Sequence, residues 1–305
     1  MLTAVGCVWR NVSAIFSVSF QDFEDASIVP LTNRTAKANA KPNTLAKHLS
    51  LFSFVMTGSH TSLPKEQLLF NVYTGLCGAV FIFAPHVAVK GSFPDLQNEG
   101  FDIACIYAQV VGFQFIQMMM VQCPGPRGLQ MSMFAMVAGM MYHILAKGVT
   151  PPPPVMGGVA IVLATTFYSG MTNKDKHDSA LSQNMFMIWN IVQGGVFYMT
   201  SKSTDGAPGL TDSFPDIANV PGALDACLVW CEVISALSFI LVLLQCPGPL
   251  GRGMGMAVNL AIAYYHYSKG IMPPPPVVAL SALCCLFSFY TYFTQKKTAK
   301  EDKSY

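Results

Sequence analysis

Asp102, Gln109 and His143 sit in apolar stretches of sequence, and they return as Asp225, Glu232 and His266, each 123 residues later. A carboxylate and an imidazole brought together can pass a proton, orient one another or grip a polar ligand, provided their surroundings tune them for it. Inside an apolar segment such groups are costly, so each needs a partner or a task. Glu232 is the deepest ionisable side chain of the second set. It follows Asp225 by seven residues, which on a helix puts both on one face, about 10.5 Å apart along the axis. Asp102 and Asp225 open their apolar segments, where a carboxylate also serves as an N-terminal cap or dipole partner. His143 and His266 close theirs, at a level that permits an Asp–His pair in each set, a hydrogen bond at the membrane interface, or a ligand or proton role. Lys147 and Lys269 follow at once, placed to snorkel to the interface. The two sets differ in chemistry at Gln109 and Glu232, which is where function should be sought first.

The elements that carry these residues are themselves written twice. Gln122 to Pro126 (QCPGP) recurs as Gln245 to Pro249, Tyr142-His143 recurs as Tyr265-His266, and 11 of the 22 positions from Gln122 to His143 match. The Lys147-Gly148 pair and the run Pro151 to Pro154 recur as Lys269-Gly270 and Pro273 to Pro276 after the loss of one residue. A self-match of this length signals internal duplication.

The 305 residues are 52% hydrophobic and 11% charged, against roughly 25% charged in soluble domains. With a mean hydropathy of +0.43, this composition indicates a polytopic membrane protein, with the lipid bilayer as its first partner. The net charge of +2 comes with no basic patch interleaved with aromatics, so nucleic acid is not expected as a partner.

Eight apolar segments approach the roughly 20 residues that cross a bilayer: 68–89, 101–121, 129–145, 155–171, 183–200, 223–244, 254–267 and 277–293. Their continuous apolarity favours helix over barrel strand. The fold class expected is therefore an all-α integral membrane protein whose eight transmembrane helices form two parallel four-helix bundle repeats. The domains read as an N-terminal arm over 1–67, repeats over 68–172 and 173–294, and a charged tail over 295–305. An even number of spans per repeat implies a pseudo-twofold axis along the membrane normal. Fourteen Lys and Arg fall on the side of the termini and four on the other. That asymmetry places both termini in the cytosol or the equivalent compartment of an organelle.

Other chemistry is thinly represented. The chain has no P-loop, nucleophile elbow or His-Glu-x-x-His helix. Its nine cysteines show neither a zinc spacing nor a disulfide framework, so no metal is expected and the sequence specifies no cofactor. Gln109, Gln114, Gln117 and Gln122 make the second segment rich in amides, as interhelical hydrogen bonding requires. Gly194-Gly195 is the main candidate for a broken span. The arm carries glycosylation sequons at Asn11 and Asn33, and residues 26–50 have a transit-like composition without acids.

The second copy, with Gly222-Ala223-Leu224, Glu232-Val233, Pro247-Gly248, Tyr265-His266, Gly270 and Pro273, resembles the DoxX-like superfamily of four-span membrane proteins. The resemblance implies a four-helix bundle per copy. It leaves activity open, because members include quinone-linked oxidoreductase subunits and receptor chaperones. Three functions are expected to compete. A non-catalytic accessory, assembly or small-ligand-binding protein, with other membrane subunits as partners, leads because no catalytic set is complete. A quinone-linked oxidoreductase subunit would use Glu232 and His266 for protons. A transporter would place its site between the repeats.

Overall fold

A computed structural model describes residues 64–301 apart from 97, 124–125, 150–152, 173–179, 204–209, 211–213, 215–216, 221 and 247. The predicted arm up to residue 63, with its sequons, lies outside the described residues, as do the acidic loop positions Asp205, Asp212 and Asp216. The described residues form helices and no strands: α1 (Lys65–Phe83), α2 (Pro85–Ser92), α3 (Asn98–Met120), α4 (Pro126–Lys147), α5 (Pro153–Thr172), α6 (Ala180–Ser201), α7 (Ala223–Leu243), α8 (Pro249–Ser268) and α9 (Pro275–Glu301), with a 3-10 turn at Ile217–Asn219.

Proline sets many of these boundaries. Pro85, Pro126, Pro153, Pro249 and Pro275 each stand at the first helical position, where the missing N–H is not needed and φ is already helical. This corrects two expectations. The segment expected over 68–89 breaks at Ala84, and Pro85 opens α2 as a separate short helix. The segments expected to be short, 129–145 and 254–267, each start several residues earlier, at Pro126 and Pro249. The expected break at Gly194-Gly195 is absent, because α6 runs through it. The C-terminal charged tail begins as a continuation of α9, which reaches Glu301.

Among the described residues, five helices are long and apolar enough to cross a membrane: α1, α3 from Gly100, α4 from Gly128, α7, and α9 to Lys296. Their outward surface suits lipid. Along α1, Leu68, Val72, Leu76, Val80 and Phe83 are exposed, as are Leu283, Leu286, Tyr290 and Phe293 on α9.

Helices α3 and α7 pack against each other at the centre. Helices α1 and α4 flank α3, and α6 and α8 flank α7. Helix α5 joins α4 to α6, and α9 joins α8 to α1, so the last helix of each half packs on the first helix of the other. The centre is cross-linked by Gln114 Nε2, which donates to Ser238 Oγ at 3.0 Å.

The close crossings rest on glycine. A Cβ on Gly112 would lie 2.9 Å from both the Ile82 backbone nitrogen and Phe81 Cβ, and one on Gly78 would meet the Gly112 carbonyl at 3.1 Å. The matching crossing of α6 and α7 uses Gly194, whose carbonyl accepts a 2.7 Å hydrogen bond from Ser235 Oγ. We expect Gly112→Val to destabilise the protein by about 1–3 kcal/mol, the usual cost of overpacking, read as a lowered thermal midpoint in detergent. Gly195→Ala, where an added Cβ meets nothing within 4 Å, should leave that midpoint nearly unchanged.

Candidate functional site

The repeated Lys-Gly string fixes where the histidines stand. Helix α8 ends in a Schellman-type turn: Gly270 adopts φ +79°, and Ile271 N–H donates to the His266 carbonyl at 3.0 Å. Glycine takes this left-handed conformation without penalty. In the first half, Val149 N–H reaches the His143 carbonyl at 3.1 Å, closing a loop one residue longer. The length difference seen in sequence is therefore absorbed at the cap, and each histidine stays in the last turns of its helix.

In the second half His266 meets a charge cluster. Its Nε2 lies 2.9 Å from Glu232 Oε2. The other carboxylate oxygen, Oε1, takes Lys202 Nζ at 2.5 Å and Lys269 Nζ at 3.5 Å. Glu232 and His266 are both buried, whereas the two lysines are about two-fifths exposed, at 41% and 43%. The lysines thus bring charge from the boundary down to a carboxylate that lies inside. Hydrogen bonding to Glu232 holds the Lys202 ammonium above its ordinary pKa. Tyr265 forms a floor for the cations, with Lys269 Nζ 4.1 Å from its ring centroid, a favourable cation–π distance.

The first half carries the same residues in a neutral version. Gln109 Nε2 donates to the Ile82 carbonyl at 3.1 Å and to the Tyr142 hydroxyl at 3.3 Å. The His143 ring packs edge-on to Phe113 and Tyr142. Gln109 Oε1 and His143 Nε2 are both buried without a hydrogen-bond partner.

The expected Asp–His pairs do not form. Asp225 is exposed in the first turn of α7, where it complements the helix dipole, and Asp102 is exposed near the start of α3. His266 instead turns to Glu232, which is deeper and shares its oxygens with two lysines. Of the predicted site residues, the fold therefore joins Glu232 to His266, keeps Gln109 beside Tyr142, and leaves both aspartates at the rim.

Other polar clusters were missed in sequence. Arg252 Nη2 binds Glu66 Oε1 at 3.1 Å and its Nη1 binds Gln122 Oε1 at 2.9 Å, with both charged groups buried. Arg252 was expected to be a loop charge, but Pro249 starts α8 early enough to take it into the helix. Glu66 fell before the first expected span. Asn259 Nδ2 donates to the Tyr73 hydroxyl at 2.9 Å and to Ser281 Oγ at 2.8 Å, and the two hydroxyls are 2.6 Å apart. This buried knot ties α1, α8 and α9 together. Nothing in the local sequence around Tyr73 signals it, because its partners lie 186 and 208 residues away.

Between the Asn259 knot and the Glu232 cluster lies a partly open cavity of about 80 Å³, lined by α1, α2, α3, α7, α8, α9 and the turn carrying Pro273 and Pro274. Its walls are mainly apolar, with Phe81, Phe93, Phe115 and Trp230 among them, and His266, Asn259 and Ser281 add polar atoms. Because α9 closes on α1, this space is built from both halves of the chain. Among the described residues no group of three or more His, Cys, Asp or Glu side chains could hold a metal ion. Cys227 and Cys231 are buried, free and packed with Ile103, Leu210 and Ile217, so they serve as small apolar residues. Comparisons with family models, curated proteins and solved structures return no match to this chain.

Removing one partner of a buried ion pair leaves the other charge uncompensated, at a cost of about 3–5 kcal/mol. We expect Arg252→Ala to fall in that range, by urea or thermal unfolding in detergent, and Arg252→Met with Glu66→Gln to recover most of the loss. At the other cluster, Glu232→Gln should cost clearly more than Lys202→Ala, whose exposed ammonium is screened by solvent.

Proposed function

We propose that the chain is an eight-span integral membrane protein of two parallel repeats, and that it binds a small apolar ligand as an accessory or assembly protein rather than as an enzyme. The repeat reading is supported by helix pairing. Exchanging α1, α3, α4 and α5 for α6, α7, α8 and α9 maps each major contact onto another: α1·α3 onto α6·α7, α4·α5 onto α8·α9, α5·α6 onto α9·α1, and the central α3·α7 onto itself. A pseudo-twofold axis between α3 and α7, along the membrane normal, accounts for that pattern. The Lys and Arg asymmetry supports termini in the cytosol or its organellar equivalent.

The observation that carries the binding reading is the cavity. A water needs about 10–15 Å³ of such space, so its volume would admit about five to eight waters, yet aromatic and aliphatic walls offer them few partners. A small molecule with an apolar body and one polar group satisfies both features. Helix α6 runs unbroken through Gly194-Gly195, so the break that a transporter reading would draw on there is absent. The contact of His266 with Glu232 keeps open a second role in proton handling beside a quinone, as a subunit of a membrane oxidoreductase.

Mass analysis of protein purified in mild detergent tests the binding reading. A small apolar molecule should accompany the wild-type chain and be lost from Ala263→Phe, which places a ring in the cavity wall. Wild-type protein that carries nothing beyond bulk lipid and detergent would contradict it.

A further inference from the structure

We propose that the cavity takes an uncharged apolar molecule bearing a hydroxyl group, and that His266 Nδ1 accepts the hydroxyl hydrogen. The proposal rests on the small-ligand reading above and specifies its chemistry.

Glu232 Oε1 faces two ammonium groups, from Lys202 and Lys269, and its Oε2 faces His266 Nε2. Between two ammonium groups the carboxylate is ionised and carries no hydrogen, so the 2.9 Å contact must be donated by the ring. Two positive charges already outnumber the single charge on Glu232, so a third on the imidazole would be left uncompensated in a buried position. The ring is then the neutral form with its one hydrogen on Nε2, and the nitrogen left over is a bare acceptor. Which nitrogen carries the proton is set in this way by the bond the other nitrogen makes. Among the described residues no donor meets Nδ1, while His266 is among the residues that line the cavity.

A bare acceptor selects its partner by exclusion. A carbonyl or ether offers it no hydrogen. A carboxylate or phosphate would set negative charge against a lone pair, and an ammonium group would add a third cation beside Lys202 and Lys269. An alcohol or phenol donates one hydrogen and brings no charge, and its apolar body suits Phe81, Phe115 and Trp230. The first half offers no such site: His143 Nε2 is buried against aromatic rings.

The test uses full-length protein in nanodiscs with Trp9→Phe and Trp189→Phe, so that Trp230 reports on its own cavity. The probes are phenol and fluorobenzene, which are close in size although only phenol can donate. Phenol should bind about threefold to tenfold tighter, the range for one net hydrogen bond. In His266→Phe that preference should vanish while fluorobenzene still binds. Equal affinities in the parent protein, or a preference that survives His266→Phe, would overturn the proposal and leave the cavity reading standing. If neither probe binds, the small-ligand reading fails with it. The comparison within the parent protein holds even where the His266 variant does not fold.

Discussion

A carboxylate cannot remain ionised among apolar helices unless positive charge reaches it, and the placement of Glu232 imposes that condition on the second half of this protein. Lys202 at the end of α6 and Lys269 at the end of α8 must both come to the boundary of α7, and His266 must close the remaining oxygen. Those contacts settle how far α6 and α8 extend and where each stops. The Schellman-type turn at Gly270 then serves two purposes. It ends α8, and it delivers Lys269 and His266, three residues apart, to the two oxygens of the same carboxylate. With Gln109 in place of Glu232, the first half needs no cations, and its histidine retires among aromatic rings.

The second constraint is interlocking. Because α5 rests on α6 and α9 rests on α1, neither half closes around a core of its own. The buried polar groups follow these seams. Arg252 reaches back to Glu66 and Gln122, and Asn259 and Ser281 reach back to Tyr73. At the 123-residue offset Arg252 and Asn259 correspond to the apolar Leu129 and Met136, and where α5 meets α6 Trp189 packs onto Gly158, leaving no room for a Cβ. The α9–α1 seam is thus polar and borders a cavity, and the α5–α6 seam is a packed contact.

Much of this architecture is legible in the sequence because it depends on local residues. The repeated Pro-Gly-Pro and Lys-Gly strings mark helix starts and stops, and continuous apolarity marks the helices. The boundaries that were misplaced, at Pro85, Pro126 and Pro249, reflect the double meaning of proline, which ends one helix and opens the next. The site was half legible. Glu232 and His266 stand out as ionisable groups at helical depth, and their repeat partners draw attention to them. Their pairing with each other rather than with Asp225 was not readable, since it depends on how α7 and α8 are rotated and on Lys202, 30 residues from Glu232. The Arg252 and Asn259 clusters join residues more than 100 positions apart, and no pattern in one sequence records such contacts.

The most direct measurement of the account is the nitrogen NMR spectrum of the His266 ring in the intact protein in lipid, assigned against His266→Gln among the six histidines. A carboxylate held between two lysines requires a neutral ring protonated at Nε2 and bare at Nδ1. A ring protonated at Nδ1 instead, or at both nitrogens, would contradict the charge cluster as described and the acceptor it presents to the cavity.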